Sequence, residues 1–179
     1  MSKEYTITVF CENKTGLMQR IVSVITRRHF NIESFTASKS SMEGIYRFTI
    51  MLILEEEQIR KLITQIEKQV DVLKAYYYTN EEIIHQEIAL YKVPTKAFYG
   101  GDMVEKLVRK YNARILTIEN EYIVIEKTGH QIEVEDLLVE LKKLGVYEFV
   151  RSGRVAIVKP MERLNRYLKT IDRNMINHS

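Results

Sequence analysis

Two asparagines on either side of one helical crossover carry the most specific chemistry in this chain. Asn13 lies in the run Glu12-Asn13-Lys14-Thr15-Gly16-Leu17-Met18-Gln19-Arg20, and Asn31 in Arg28-His29-Phe30-Asn31-Ile32-Glu33-Ser34. The first run joins an expected strand to an expected helix, so it offers the unpaired N–H groups and partial positive charge of a helix start. An α-carboxylate can accept from the N–H groups near Gly16 and Leu17, and glycine lets the backbone come close. The amide oxygens of Asn13 and Asn31 can accept from an α-ammonium, while their NH₂ groups can donate to a carboxylate. Leu17, Met18 and Ile32 are apolar neighbours able to choose a side chain. This chemistry suits a small zwitterion. The same residues also read as plain structure, with Asn13 in an Asx turn and Asn31 opening a strand. Local chemistry leaves both readings open.

No other pattern offers a better site. The single cysteine, Cys11, alternates with Tyr5, Ile7 and Val9 on a strand, which makes it a small core residue rather than a nucleophile. A lone cysteine fits a reducing compartment. His29, His85, His130 and His178 are scattered, without the spacing of a metal site. Gly100-Gly101 before a helix is a flexible turn rather than a phosphate loop, and no dinucleotide or Walker pattern occurs. Tyr46 and Phe48 raise RNA stacking, but they alternate with Arg47 and Thr49 as strand packing alone produces, in a stretch without glycine. A net charge of +3, from 27 basic and 24 acidic residues, gives no argument for nucleic acid. No apolar run reaches the roughly 18 residues that span a bilayer, so the expected location is the cytoplasm, with no membrane contact.

The elements that must position the loop follow from periodicity. Strands are expected over 5–11, 31–38, 45–54 and 70–78, and helices over 16–28 and from Glu55-Glu56-Glu57 onward. Thr15 is the expected N-cap of the first helix, with Asn13 competing for that role. Leu17, Ile21, Val24 and Ile25 form its buried stripe, and Ile59, Leu62, Ile63 and Ile66 that of the second. The order strand-helix-strand-strand-helix-strand is the ferredoxin-like split unit. It then recurs, with strands over 83–93, 113–118, 122–127, 146–151 and 154–158 and helices from Met103 and over 131–144. The expected fold is α+β: two tandem ferredoxin-like βαββαβ domains over 1–80 and 81–159, and a short basic amphipathic helical tail over 160–179.

The loop residues also carry a family resemblance. Glu12-Asn13-x-x-Gly16-x-x-x-Arg20-Ile21, followed by Arg28-x-x-Asn31-Ile32-Glu33-Ser34-x-Thr36, resembles the N-terminal ACT domain of the acetolactate synthase (acetohydroxyacid synthase) small subunit. Val70-Asp71-Val72-Leu73, Glu87-Ile88-Ala89-Leu90-Tyr91-Lys92-Val93 and Val150-Arg151-Ser152-Gly153 are similar to later stretches of that family, so the likeness runs over about residues 4–158. It implies an effector-binding ACT domain followed by a C-terminal ferredoxin-like domain, in a regulatory subunit without catalysis or cofactor of its own. The implied partner is a large catalytic subunit carrying thiamine diphosphate, Mg²⁺ and FAD. That partner condenses pyruvate with pyruvate or 2-oxobutyrate on the route to valine, leucine and isoleucine. The small subunit raises its activity and confers feedback inhibition, usually by valine held between two ACT domains of a homodimer. Carried over by position, Asn13, Gly16, Leu17 and Met18 come from one protomer and Asn31 and Ile32 from its mate. The chain departs from the family pattern at His29, usually Gly; at Gln86, usually Arg; at Lys159-Pro160, usually Arg-Gly; and at Ser38, usually small and apolar. A free-standing ACT-type amino-acid sensor is the alternative.

Overall fold

The structure, a computed structural model, describes residues 1–96 and 103–159. The Gly100-Gly101-Asp102 turn and the tail over 160–179 lie outside the described residues. The first half contains β1 (Lys3–Glu12), α1 (Leu17–Thr26), β2 (Ser34–Lys39), β3 (Ile45–Leu54), α2 (Glu56–Ile66) and β4 (Val72–Tyr78). Its strands form one antiparallel sheet in the order β2-β3-β1-β4. The second half contains β5 (Ile83–Pro94), α3 (Met103–Lys110), β6 (Arg114–Ile118), β7 (Tyr122–Gly129), α4 (Gln131–Lys142) and β8 (Glu148–Arg151), closed by β9 (Val155–Val158). Its order, β6-β7-β5-β8, repeats that of the first sheet. The expected pair of ferredoxin-like units is therefore what the chain forms.

Apolar periodicity explains the first core. Tyr5, Ile7, Val9 and Cys11 line one face of β1, and Leu17, Ile21 and Ile25 of α1 and Ile59, Leu62 and Ile66 of α2 are all buried in the same cluster as these. In α2 the backbone N–H of Glu55 donates to Gln58 Oε1 at 3.0 Å, and Glu56 and Glu57 occupy the first turn, where acidic groups complement the helix dipole. The acidic triplet is thus a helix start.

Several boundaries differ from expectation, each for a backbone reason. The first helix ends at Thr26, because His29 adopts φ +57, a left-handed conformation that an α-helix cannot contain. Its N–H donates to Thr26 O at 2.8 Å and closes the turn. The backbone at position 29 is therefore one that favours glycine. We expect His29→Gly to raise unfolding stability by about 0.5–1 kcal/mol, the relief of left-handed strain less the extra chain entropy of glycine; chemical denaturation of both chains checks the sign. The fourth strand begins at Val72 rather than residue 70, since Asp71 sits at φ +73.

The two halves are not beads on a string. Along β5, Ala89 pairs with Arg151 while Gln86 pairs with Val155, so three steps on β5 face four on the returning chain. One extra residue makes a β-bulge, which interrupts pairing and re-aims side chains. The segment Ser152-Gly153-Arg154 is thereby turned toward the first sheet. Arg154 covers Thr6, which is buried as well as its alternating neighbours on β1. Arg154 is 2 % exposed; its Nη1 donates to Thr6 Oγ1 at 3.0 Å and to Asn80 Oδ1 at 3.1 Å, and its Nη2 lies 2.7 Å from Glu4 Oε1. Arg47 Nη2 donates to the Ala156 carbonyl, and Tyr78, Ile83 and Ala156 form a small apolar cluster across the junction.

Candidate functional site

The loop after β1 is held from both sides of the sheet end. Glu12 N–H donates to Asp71 O at 3.0 Å and Asn13 N–H to Gly44 O at 3.2 Å. Arg20 Nη2 reaches Asp71 Oδ2 at 2.6 Å, tying the first turn of α1 to the entry of β4. The chain enters the helix through Gly16, whose φ of +83 is left-handed. A Cβ on Gly16 would meet nothing within 4 Å, so the backbone conformation, not crowding, calls for glycine there, and the space beside it is open.

The expected caps are not the observed ones. Gly16 itself is the N-cap residue, no side chain caps the helix, and neither Thr15 nor Asn13 fills that role. Leu17 N–H is used by Lys14 O at 3.3 Å, and Arg20 N–H by Gly16 O at 3.1 Å. Among the described residues the N–H groups of Met18 and Gln19 have no backbone acceptor, as helix geometry requires of a first turn. A helix start with free donors and no capping side chain is suited to an anion.

The residues proposed for an effector occupy distinct places. Leu17 is buried in the core at 1 % exposure, whereas Met18 is 52 % exposed beside it. Leu17 thus anchors the helix, and of the two apolar side chains at the helix start Met18 is the one turned outward. Asn13 and Asn31 are exposed and Ile32 is half-buried against the first core. Neither asparagine amide is engaged by another described residue, so Asn13 makes no Asx turn. Asn31 does not open a strand either: β2 begins at Ser34, and Asn31 and Ile32 belong to the approach to it.

Within one chain the two asparagines are far apart. Glu33 N–H donates to Met51 O at 3.0 Å, and Met51 pairs with Thr6 on β1. Asn13 lies beyond Glu12, at the other end of β1. Six to seven strand positions separate these levels, roughly 20 Å at the usual rise. An amino acid is far smaller than that span, so the structure does not bring Asn13 and Asn31 to one ligand within a protomer. β2, which Asn31 and Ile32 lead into, is an edge strand of its sheet.

The Cys11 thiol beside the loop is not suited to nucleophilic chemistry. Burial, and then the Asp71 charge, pushes the Cys11 thiol up to about 11, and Cys11 is 0 % exposed. No group of three or more His, Cys, Asp or Glu able to hold a metal occurs among the described residues. Within them no helix is long and apolar enough to cross a membrane.

Comparison with known proteins decides the family. Residues 7–74 match the model of the AHAS small subunit-like ACT domain, and residues 86–160 that of the small subunit of acetolactate synthase. The acetolactate synthase small subunit of Bacillus subtilis is 31% identical over 166 residues, covering 92% of this chain and 96% of that protein. The chain belongs to the acetolactate synthase small-subunit family. The small subunit of Mycolicibacterium smegmatis is 29% identical over 153 residues, with 86% of this chain and 89% of its own length covered. The crystal structure of the Thermotoga maritima acetolactate synthase small subunit superposes with a TM-score of 0.80 at 29% identity, over 88% of this chain and 98% of that one. Both halves thus match small-subunit models, and the chain is a regulatory subunit rather than a catalytic one.

Sequence reading missed Arg154 and the part Ser34 plays. Arg154 was visible only as a polar residue beginning a strand, and nothing local marks it as the most buried cation of the junction. The signal that existed was Ser152-Gly153 interrupting two otherwise continuous strand runs, a pattern that marks a bulge.

Proposed function

We propose that this small subunit binds a large, thiamine-diphosphate-, Mg²⁺- and FAD-dependent catalytic subunit, raises its activity, and makes it sensitive to feedback inhibition by valine. Residues 1–80 form the effector-binding half and 81–159 the second ferredoxin-like half, with 160–179 as a tail. The chain itself needs no cofactor for this role and works in the compartment of the biosynthetic enzyme, the cytoplasm. Valine sits between two protomers of a homodimer, with Asn13, Gly16, Leu17 and Met18 from one and Asn31 and Ile32 from the other.

The observation that carries this reading is the separation of two unengaged asparagines, roughly 20 Å apart along one sheet. Each is half a site: Asn13 adjoins the open helix start, and Asn31 leads into a sheet edge. A two-fold axis beside that edge brings one half to the other, since a symmetric interface repeats each contact twice. The helix N–H groups and Asn13 take the carboxylate, the asparagine oxygens take the ammonium, and Met18 and Ile32 border the aliphatic side chain. Leu17, being buried, shapes the floor. Inhibition follows if valine binds the dimer geometry of the less active holoenzyme better; about 1–3 kcal/mol of such coupling gives roughly 5- to 150-fold modulation.

Calorimetry of the full chain with valine, leucine and isoleucine, alone and with the large subunit, tests the proposal. We expect saturable valine binding at one site per protomer, weaker heats with the other two, and stimulation of pyruvate condensation when the subunits are mixed. No binding of any of the three in either setting would remove the effector reading. Co-purification with some other enzyme, in place of a thiamine-diphosphate enzyme, would point to a free-standing sensor.

A further inference from the structure

The start of β2 is gripped by the second half of the chain. Gly153 lies so close to it that a Cβ would stand 2.3 Å from Thr36 Oγ1, 2.9 Å from the Phe35 carbonyl oxygen and 3.0 Å from Ser34 Oγ. Arg154 N–H donates to Ser34 Oγ at 2.8 Å. The bulge that places both residues is anchored on its other side, where Ser152 N–H donates to Ile88 O at 2.8 Å and Ile88 N–H to Ser152 Oγ at 2.9 Å. Behind it, Arg151 Nη1 meets Glu135 Oε1 of α4 at 2.9 Å, and its Nε lies 3.3 Å from Glu87 Oε2 of β5. One short segment thus connects α4 and β5 to Ser34, three residues after Asn31.

We propose that Ser34, Gly153 and Arg154 form a clasp that positions Asn31 and Ile32 for the effector, so that the C-terminal half sets how tightly the ACT half binds it. This rests on the valine reading above. The physical argument is one of leverage. β2 is six residues long and bonded to a neighbour on one side only. Its later residues Ala37, Ser38 and Lys39 are exposed, while its first three are half-buried beneath the bulge. Fixing the first residues fixes where the approach segment ends, and the approach segment carries the effector contacts. Linkage then works in both directions: if the clasp favours effector binding, effector binding favours the clasped arrangement by the same factor.

Ser34, Gly153 and Arg154 do not touch the effector in this scheme. They are positioning residues, and valine response is the property they control.

The test uses the full chain combined with its catalytic subunit. Ser34→Ala removes the acceptor of the Arg154 N–H, and Gly153→Ala drives a methyl into the Phe35 carbonyl, which is backbone and cannot step aside as a flexible side chain would. Losing one hydrogen bond at about 1 kcal/mol predicts a roughly 5-fold rise in the valine concentration for half inhibition with Ser34→Ala. We expect a larger rise with Gly153→Ala, and recovery with Ser34→Thr, which restores the hydroxyl. Maximal stimulation of the catalytic subunit, measured without valine, separates a positioning effect from general damage: we expect the valine curve to move while stimulation by Ser34→Ala stays at the wild-type level. Calorimetry of the same chains reports whether valine affinity moves with inhibition.

The two readings fail differently. A wild-type holoenzyme indifferent to valine overturns the effector assignment itself. A valine-sensitive wild type whose Ser34→Ala and Gly153→Ala forms keep the same half-inhibition point, though Asn31→Ala loses it, overturns the clasp alone. Equal fractional losses of stimulation and valine response in Ser34→Ala, with no rescue by Ser34→Thr, would also overturn it, by making the contact merely structural.

Discussion

Alanine at Asn13 or at Asn31 is expected to raise the valine concentration for half inhibition by about 10- to 150-fold while stimulation of the catalytic subunit persists. The size comes from hydrogen bonds to a charged ligand, worth about 1.5–3 kcal/mol each. The selectivity comes from exposure: neither amide supports the fold through another described residue, so its removal leaves the two cores intact. A stronger form of the experiment uses both variants in one dimer. With the site divided between protomers, a dimer of one Asn13→Ala chain and one Asn31→Ala chain has both lesions in one site and none in the other. Mixing the two insensitive proteins, unfolding and refolding them together, should therefore restore part of the valine response. A site built within a single chain predicts no recovery, because every chain in the mixture carries a lesion. The outcome discriminates between the two geometries without any structure of the complex, and the roughly 20 Å separation along the sheet favours recovery.

Replacing Arg154 by methionine is expected to lower the stability of the whole chain by about 2–3 kcal/mol, at and below the low end of the roughly 3–5 kcal/mol for breaking a buried ion pair, because Glu4 retains contact with solvent. The side chain of Arg154 is 3 % exposed and that of Glu4 is 29 % exposed. Methionine fills much of the volume but leaves Glu4, Thr6 and Asn80 facing an apolar group. At roughly 2–4 °C per kcal/mol for a chain of this size, the melting temperature should fall by about 5–10 °C. The effect has a pH dependence of definite sign. Burial pushes the Glu4 carboxyl up, but hydrogen bonds with Asn80 and Arg154 and the Arg154 charge outweigh it and hold the carboxyl below its ordinary 4.5. A depressed folded value means that the unfolded chain binds the proton more readily. The contribution is then fully present above about pH 4.5 and is lost as pH falls through the folded value. The gap between wild type and Arg154→Met should therefore be widest near neutrality and narrow below about pH 4.5. Denaturant titrations at several pH values measure it, and a gap independent of pH would show that lost packing, not the ion pair, dominates.

Much of the architecture could be read from residue patterns because the forces that fix it are local and periodic. Period-2 runs such as Tyr5, Ile7, Val9 and Cys11 have one satisfactory burial, against a helix-covered core, and the 3.6-period stripes of α1 and α2 supply that cover. At two boundaries where expectation slipped, a single backbone torsion was responsible. His29 at φ +57 shortened α1, and Asp71 at φ +73 delayed β4. His and Asp are enriched in the left-handed region but only a small minority adopt it, so neither residue marks the position by its type. Gly16 does, and the turn was placed correctly around it, yet the capping role given to Thr15 was not, because Gly16 itself, which has no side chain to cap with, occupies the N-cap position.

The candidate site divides along the same line. Residue types and spacing alone determined that Asn13, Gly16 and Asn31 flank a helical crossover and, through both halves, which family the chain resembles. These follow from chain order, and chain order is preserved in any fold. Tertiary structure alone decided that the two asparagines stand at opposite ends of one sheet, since strand register, not sequence separation, sets that distance. It alone buried Arg154, because a one-residue bulge in β5's partner strand turns the guanidinium from solvent toward Glu4 and Thr6. A bulge is the difference between two registers, here at segments 62 residues apart at Ala89 and Arg151 and 69 apart at Gln86 and Val155, and no local pattern can encode a relation between segments that only pairing brings together.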